Sequence, residues 1–121
     1  MIRDVTNLDV YQLSFEALEI LYKLVIKIPH SERDTIDQLK RASESVPANI
    51  AEGFAKRSSE KEFKRFLKIA IGSSDEVVTH LRMVCITVPN LQPQAIQVAD
   101  TFTVLSKRLN KLHSVWRTGN F

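Results

Sequence analysis

The residues of this 121-residue chain that could hold a metal or move a proton are three histidines, one cysteine and fourteen carboxylates, and their spacing brings few of them together. Glu76 and His80 stand four apart, one helical turn, and can share a face. A metal shell needs more than one such pair, and the di-iron centres of helical bundles take a Glu-x-x-His pair from each of two helices. The residues three before His30, His80 and His113 are Lys27, Val77 and Asn110. With no second His/carboxylate pair to complete a shell, Glu76 and His80 read as a surface contact, and neither a metal nor another cofactor is expected.

Nucleophilic chemistry finds no better footing. Cys85 lies in the largely apolar run Leu81 to Val88 without an exposed setting to lower its pKa, so it reads as a core residue, and a lone cysteine cannot form an internal disulfide. There is no Gly-rich phosphate loop and no Gly-x-Ser-x-Gly elbow. The sequence therefore predicts a binding or assembly protein and not an enzyme. Only an active site composed across subunits would escape this search.

Charge is more informative than chemistry. The net charge is +3, but residues 1–55 carry six basic and nine acidic side chains, and residues 69–100 carry one and three. The positive charge is confined to residues 56–68, with six basic and two acidic, and residues 101–121, with four and none. Arg57, Lys61, Lys64, Arg65 and Lys68 form the first cluster, and Lys107, Arg108 and Lys111 the second. If the two segments are neighbouring antiparallel helices, the clusters should merge into one positive end. Such an end attracts the phosphates of RNA or DNA, or an acidic protein surface, or is a solvated face without a specific role.

The segment Ser45-Val46-Pro47-Ala48-Asn49-Ile50-Ala51-Glu52-Gly53 carries a second signal. On a helix at about 100° per residue, Glu52 points nearly opposite the apolar stripe, flanked by Ala48, Ala55 and Ser45. A solvated face usually carries longer charged side chains, so Pro47, Ala48, Asn49, Glu52 and Ala55 are read as an oligomer-interface or structural motif. Glu52 would be its polar anchor. Asn49, at the stripe's edge, could bond the carbonyl freed by Pro47 or a neighbouring helix. Ile71-Gly72-Ser73-Ser74 places further small residues where a close helix crossing is expected.

These segments need helices to position them, and the periodicity supplies four, at about 9–28, 32–56, 60–88 and 93–117. The first buries Val10, Ala17, Leu21, Leu24 and Ile28, beside a second apolar stripe of Tyr11, Phe15, Leu18, Tyr22 and Val25. So wide a surface implies an enclosed helix or one that meets another subunit. The second helix, with Ser31 as its expected cap, buries Ile36, Leu39, Ser43, Val46, Ile50 and Phe54 and contains Pro47, which predicts a kink. Ser59-Glu60-Lys61-Glu62 has the form of a capping box. It opens a third helix with the stripe Phe63, Leu67, Ala70, Ser74, Val77, Leu81, Val84 and Val88. Pro93 suits the first turn of the fourth helix, which buries Val98, Phe102, Leu105, Leu109, Leu112 and Trp116, with Gly119 as its stop.

Short connections between helices of this length predict an antiparallel up-and-down four-helix bundle, all-α, as one domain over residues 1–121. Apolar residues make up 44% and charged residues 26% of the chain, as in an ordinary globular protein. No stretch approaches the roughly 18 apolar residues of a membrane span and the N-terminus begins no signal peptide, so a cytoplasmic protein without membrane contact is expected.

The run Gln38-Leu39-Lys40-Arg41-Ala42-Ser43-Glu44-Ser45-Val46-Pro47-Ala48-Asn49-Ile50-Ala51-Glu52-Gly53 resembles the signature of a bacterial four-helix-bundle family first noted as open reading frames in intervening sequences of 23S rRNA genes. Leu8 to Tyr22, Ile28-Pro29-x-x-Glu32-Arg33, Glu62-Phe63-x-x-Phe66-Leu67 and Ala70-x-Gly72-Ser73 extend the resemblance over about residues 8 to 82. It implies a homopentameric ring without catalytic residues. It also implies kinship with the accessory proteins of diversity-generating retroelements, basic bundles that bind a reverse transcriptase and nucleic acid. The expected function is thus an oligomeric bundle that binds nucleic acid, structured RNA first. The alternative is a protein-interaction adaptor, such as a reverse-transcriptase accessory subunit or a scaffold for an acidic partner.

Overall fold

The computed structural model describes residues 2–118, and these form four helices and no strand. The helices are α1 (Asp9–Val25), α2 (Arg33–Ala55), α3 (Glu60–Thr87) and α4 (Gln92–Val115), with single 3-10 turns at Val5–Asn7, His30–Glu32 and Pro89–Leu91. α3 packs most closely, against α2 and α4, while α1 closes the square more loosely on α2 and α4. α1 is therefore diagonal to α3. The bundle is antiparallel, up and down, as the short connections require.

The core follows the apolar stripes. Leu21, Leu24, Leu39, Ile50, Leu67, Leu81, Phe102, Leu105 and Leu109 are fully enclosed. Ile36 and Leu112 lie at its edge, as does Cys85, which lines a cleft between α3 and α4 instead of the interior. Each fully buried Leu or Ile contributes about 1.5–3 kcal/mol of transfer free energy, and this aliphatic layer is the main stabilising contribution. Among the described residues no helix is long and apolar enough to cross a membrane.

Serine hydroxyls link the helices inside that layer. Ser106 Oγ donates to Ser74 Oγ at 2.7 Å, and Ser74 Oγ donates to the Phe102 carbonyl at 2.9 Å. Ser45 and Ser73 Oγ meet at 2.9 Å between α2 and α3. Each bond satisfies a group whose burial would otherwise be costly, so together they favour one helix register.

α2 and α3 approach closely at Gly53, where a Cβ would fall 2.7 Å from Phe66 Cβ and 2.9 Å from the Phe63 ring. The close crossing expected at Gly72 is absent: Gly72 is exposed and a Cβ there would meet nothing within 4 Å. Its buried neighbours Ser73 and Ser74 face α2 and α4, and Gly72 falls on the opposite side of the helix.

The termini depart from expectation in detail. α1 ends at Val25, because the next amides turn back three residues, Lys27 to Leu24 and Ile28 to Val25, ahead of Pro29, which has no N–H. Ser31 lies inside the 3-10 turn and does not cap α2, whose N-cap is Glu32 without a side-chain bond. Ser59 Oγ accepts the Glu62 amide as a capping box requires, but the Ser59 amide bonds the Lys56 carbonyl and the Glu62 carboxylate turns to Arg65. α2 is continuous through Pro47. Trp116 caps α4 and packs edge-on to Phe63 with ring centroids 4.5 Å apart, while Gly119 lies outside the described residues.

Candidate functional site: an apolar groove and a basic end

The first surface lies between α1 and α2. The outward stripe of α1 supplies Tyr11, Phe15 and Leu18, and α2 supplies Glu44, Pro47, Ala48 and Ala51; together they line an open groove of about 290 Å³. Small side chains on α2 make it concave, and Phe15 remains 44% exposed beside it. Tyr11 braces Phe15 edge-on at 5.0 Å. One end is fixed by Tyr22, whose hydroxyl donates to the Glu44 carboxylate. Partial burial, with that carboxylate beside it, pushes the Tyr22 pKa up to about 12.

Of the residues singled out on α2, the groove brings together Pro47 and Ala48 and adds Ala51. Glu52 and Ala55 are exposed outside it, and Glu52 is engaged by Lys56 of its own helix at 3.3 Å. Ser45, expected beside Glu52 on the outer face, is half-buried against Ser73. Asn49 donates to the Ser45 carbonyl at 2.8 Å and to Ser45 Oγ at 2.9 Å, so its bonds stay within α2, where they orient the hydroxyl that meets Ser73, and do not take the Ser43 carbonyl freed by Pro47.

The second surface is the end of the bundle where α3 starts and α4 stops. Four aromatic rings, Phe54, Phe63, Phe66 and Trp116, are buried beneath it. The Arg57 guanidinium stacks 4.1 Å from the Phe54 centroid and donates to the Phe54 carbonyl, and Arg65 stacks 4.3 Å from Phe66 while donating to Glu62 at 2.9 Å. Cation–π contact and hydrogen bonds hold both guanidinium forks in place. The Arg65 bond also lowers the Glu62 pKa.

Lys64 lies 3.6 Å from Glu60 and Arg108 lies 3.9 Å from Asp9. Lys61, Lys68, Lys107 and Lys111 form no ion pair among the described residues. The two clusters share an end but not a face. Arg108 and Lys111 border a groove between α4 and α1 with Asp9, Leu112 and Val115, while Lys64 and Lys68 act on the α3 side of α4.

The residue between them is His113, which its sequence spacing does not single out. It is half-buried; desolvation, then Lys68 and Lys64, lower its pKa. Asn110 and Leu109 stand three and four before it, so no carboxylate shares its face to suggest a metal ligand. The available signal is its place one turn above Arg117 and within the second basic segment.

Glu76 accepts from Arg41 across the α2–α3 seam and meets His80 Nε2 at 3.3 Å. That accounts for the Glu76/His80 spacing: Glu76 meets His80 within α3, and its pairing with Arg41 joins the two helices. Among the described residues no three His, Cys, Asp or Glu gather where they could hold a metal.

The profile of the family described as 23S rRNA-intervening sequence protein matches residues 6–111, which includes all of α1 to α3 and most of α4. The chain belongs to this family. No curated protein sequence matches it. Membership of the 23S rRNA-intervening sequence family agrees with the resemblance carried by residues 38–53, and the match extends into α4, where the stripes alone are generic. The groove and the eight cations of the basic end lie within the matched residues, while His113, Val115 and Trp116 lie beyond them.

Proposed function

We propose that this chain is a non-catalytic helical bundle that assembles with copies of itself and binds nucleic acid, structured RNA first, through the phosphates at its basic end. The observation that carries the binding reading is the set of lysines without ion pairs among the described residues, Lys61, Lys68, Lys107 and Lys111, at one end of a molecule whose other segments are acidic. Each ammonium that meets a phosphate releases condensed counterions, which drives association without reading sequence. The aromatic rings nearest the cations are buried, so unstacked bases have no platform there, and recognition is by charge and shape.

Assembly is supported by the α1–α2 groove, an apolar surface on the outside of a small bundle. The family resemblance supports a homopentamer as the form of that assembly. Repetition of the basic end around a ring would multiply weak phosphate contacts into useful avidity. A second reading, an adaptor for an acidic protein such as a reverse transcriptase partner, draws on Arg57 and Arg65, whose forks are pre-positioned for carboxylates.

Binding of an RNA hairpin across a salt series tests the proposal. Affinity should fall linearly on a log–log plot, and charge reversal at Lys61, Lys68, Lys107 and Lys111 should abolish it. Binding unaffected by those changes removes the basic end from the account, and failure to bind at low salt favours the adaptor.

A further inference from the structure

We infer that His113, Lys64 and Lys68 form a phosphodiester-binding site at the α3–α4 seam, and that this site takes up a proton when it is filled. The inference rests on the nucleic-acid reading above and adds to it a place and a regulator.

The geometry comes from the seam itself. On α4, His113 projects within about 20° of Ser106, the residue that bonds Ser74 of α3, so the imidazole faces α3. Lys64 and Lys68, one turn apart on α3, are the cations that act on it. Neither ring nitrogen of His113 has a hydrogen-bond partner among the described residues, so both are open to a ligand. A phosphate oxygen accepts from either ring N–H and from both ammonium groups, a three-donor set for a tetrahedral anion.

None of the other charged groups bonds to His113 among the described residues. From α3, Glu60 pairs with Lys64 at 3.6 Å, so a phosphodiester competes with it for that ammonium. On α4 itself, Arg117 one turn on donates to the Ser114 and Trp116 carbonyls. From α1, Asp9 is taken by Arg108 on another side of α4. Partial burial, and then the neighbouring charges of Lys68 and Lys64, therefore disfavour the imidazolium. A bound phosphodiester reverses the sign of that local field and favours the imidazolium. Linkage then requires affinity to rise as pH falls, by at most about tenfold per unit for one proton taken up. Phosphodiesters themselves stay singly charged over this range, so the dependence belongs to the protein.

The test is RNA-hairpin affinity at fixed ionic strength from about pH 8 to about pH 6, for the wild type and His113→Gln, with the His113 ring resonance titrated by NMR with and without the hairpin. The wild type should bind about three- to tenfold more tightly at the lower pH, the variant should lose that gain, and the hairpin should move the His113 midpoint upward. Hairpin binding with the same pH dependence in both proteins, or an unmoved His113 midpoint, overturns this inference and leaves the basic end standing. Absence of hairpin binding at low salt at every pH overturns both.

Discussion

Gly53 and Phe66 meet through backbone-level atoms: a Cβ on Gly53 would lie 2.7 Å from the Phe66 Cβ, closer than two carbons can approach. This close approach sets the spacing of α2 and α3 at the basic end, beneath Arg57 and Arg65. Gly53→Ala should therefore destabilise the bundle, because overpacking costs about 1–3 kcal/mol and outweighs the about 1 kcal/mol of helix propensity that Ala gains. Gly72→Ala has the propensity gain alone and should stabilise by up to about 1 kcal/mol. Urea midpoints of the two variants should move in opposite directions, and movement in the same direction would contradict the placement of the crossing.

The eight cations should not contribute equally to binding. Arg65, Lys64 and Arg108 already face carboxylates, so neutralising them should alter the salt dependence less than neutralising Lys61, Lys68, Lys107 or Lys111. Neutralising any one lysine of the second group should reduce the log–log salt slope by about 0.7–0.9, the value of one phosphate neutralised. Glu60→Gln should tighten RNA binding by releasing Lys64. Fluorescence anisotropy with one hairpin checks all of these.

Stability should carry the signature of His113. Its folded-state pKa lies below the ordinary 6.5, so the folded protein binds fewer protons there than the unfolded chain. The associated stability is present above pH 6.5 and is lost as pH falls from that value towards the lowered folded pKa. His113→Gln should flatten this part of the profile of urea midpoint against pH. A variant profile that still falls through the same window would assign the effect to other groups.

Much of the fold is legible in the chain because an enclosed stripe at helical spacing has few alternatives. Phe63, Leu67, Ala70, Ser74, Val77, Leu81, Val84 and Val88 are all buried as their spacing implies. What periodicity does not encode is which polar neighbour a small side chain meets. Ser45 looks solvent-facing on a helical wheel but finds Ser73, and Gly72 resembles a crossing residue although the crossing falls at Gly53. The candidate surfaces divide similarly. The outer stripe of α1 and the small residues of α2 are each visible in the sequence, but their union into one groove, centred on Pro47, Ala48 and Ala51, depends on the packing of α1 against α2. His113 escapes because its significance comes from Lys64 and Lys68, more than forty residues away in sequence.

We propose that the groove of Tyr11, Phe15, Leu18, Pro47, Ala48 and Ala51 is covered by another copy of this chain. Sedimentation at micromolar concentration measures that directly. The wild type should run as a discrete multiple of 13.8 kDa, five-fold for a pentamer, and Ala48→Arg, which fills the groove with a charge, should run as a folded monomer with an unchanged helical spectrum. A wild type that sediments as a monodisperse 13.8-kDa monomer would contradict the account.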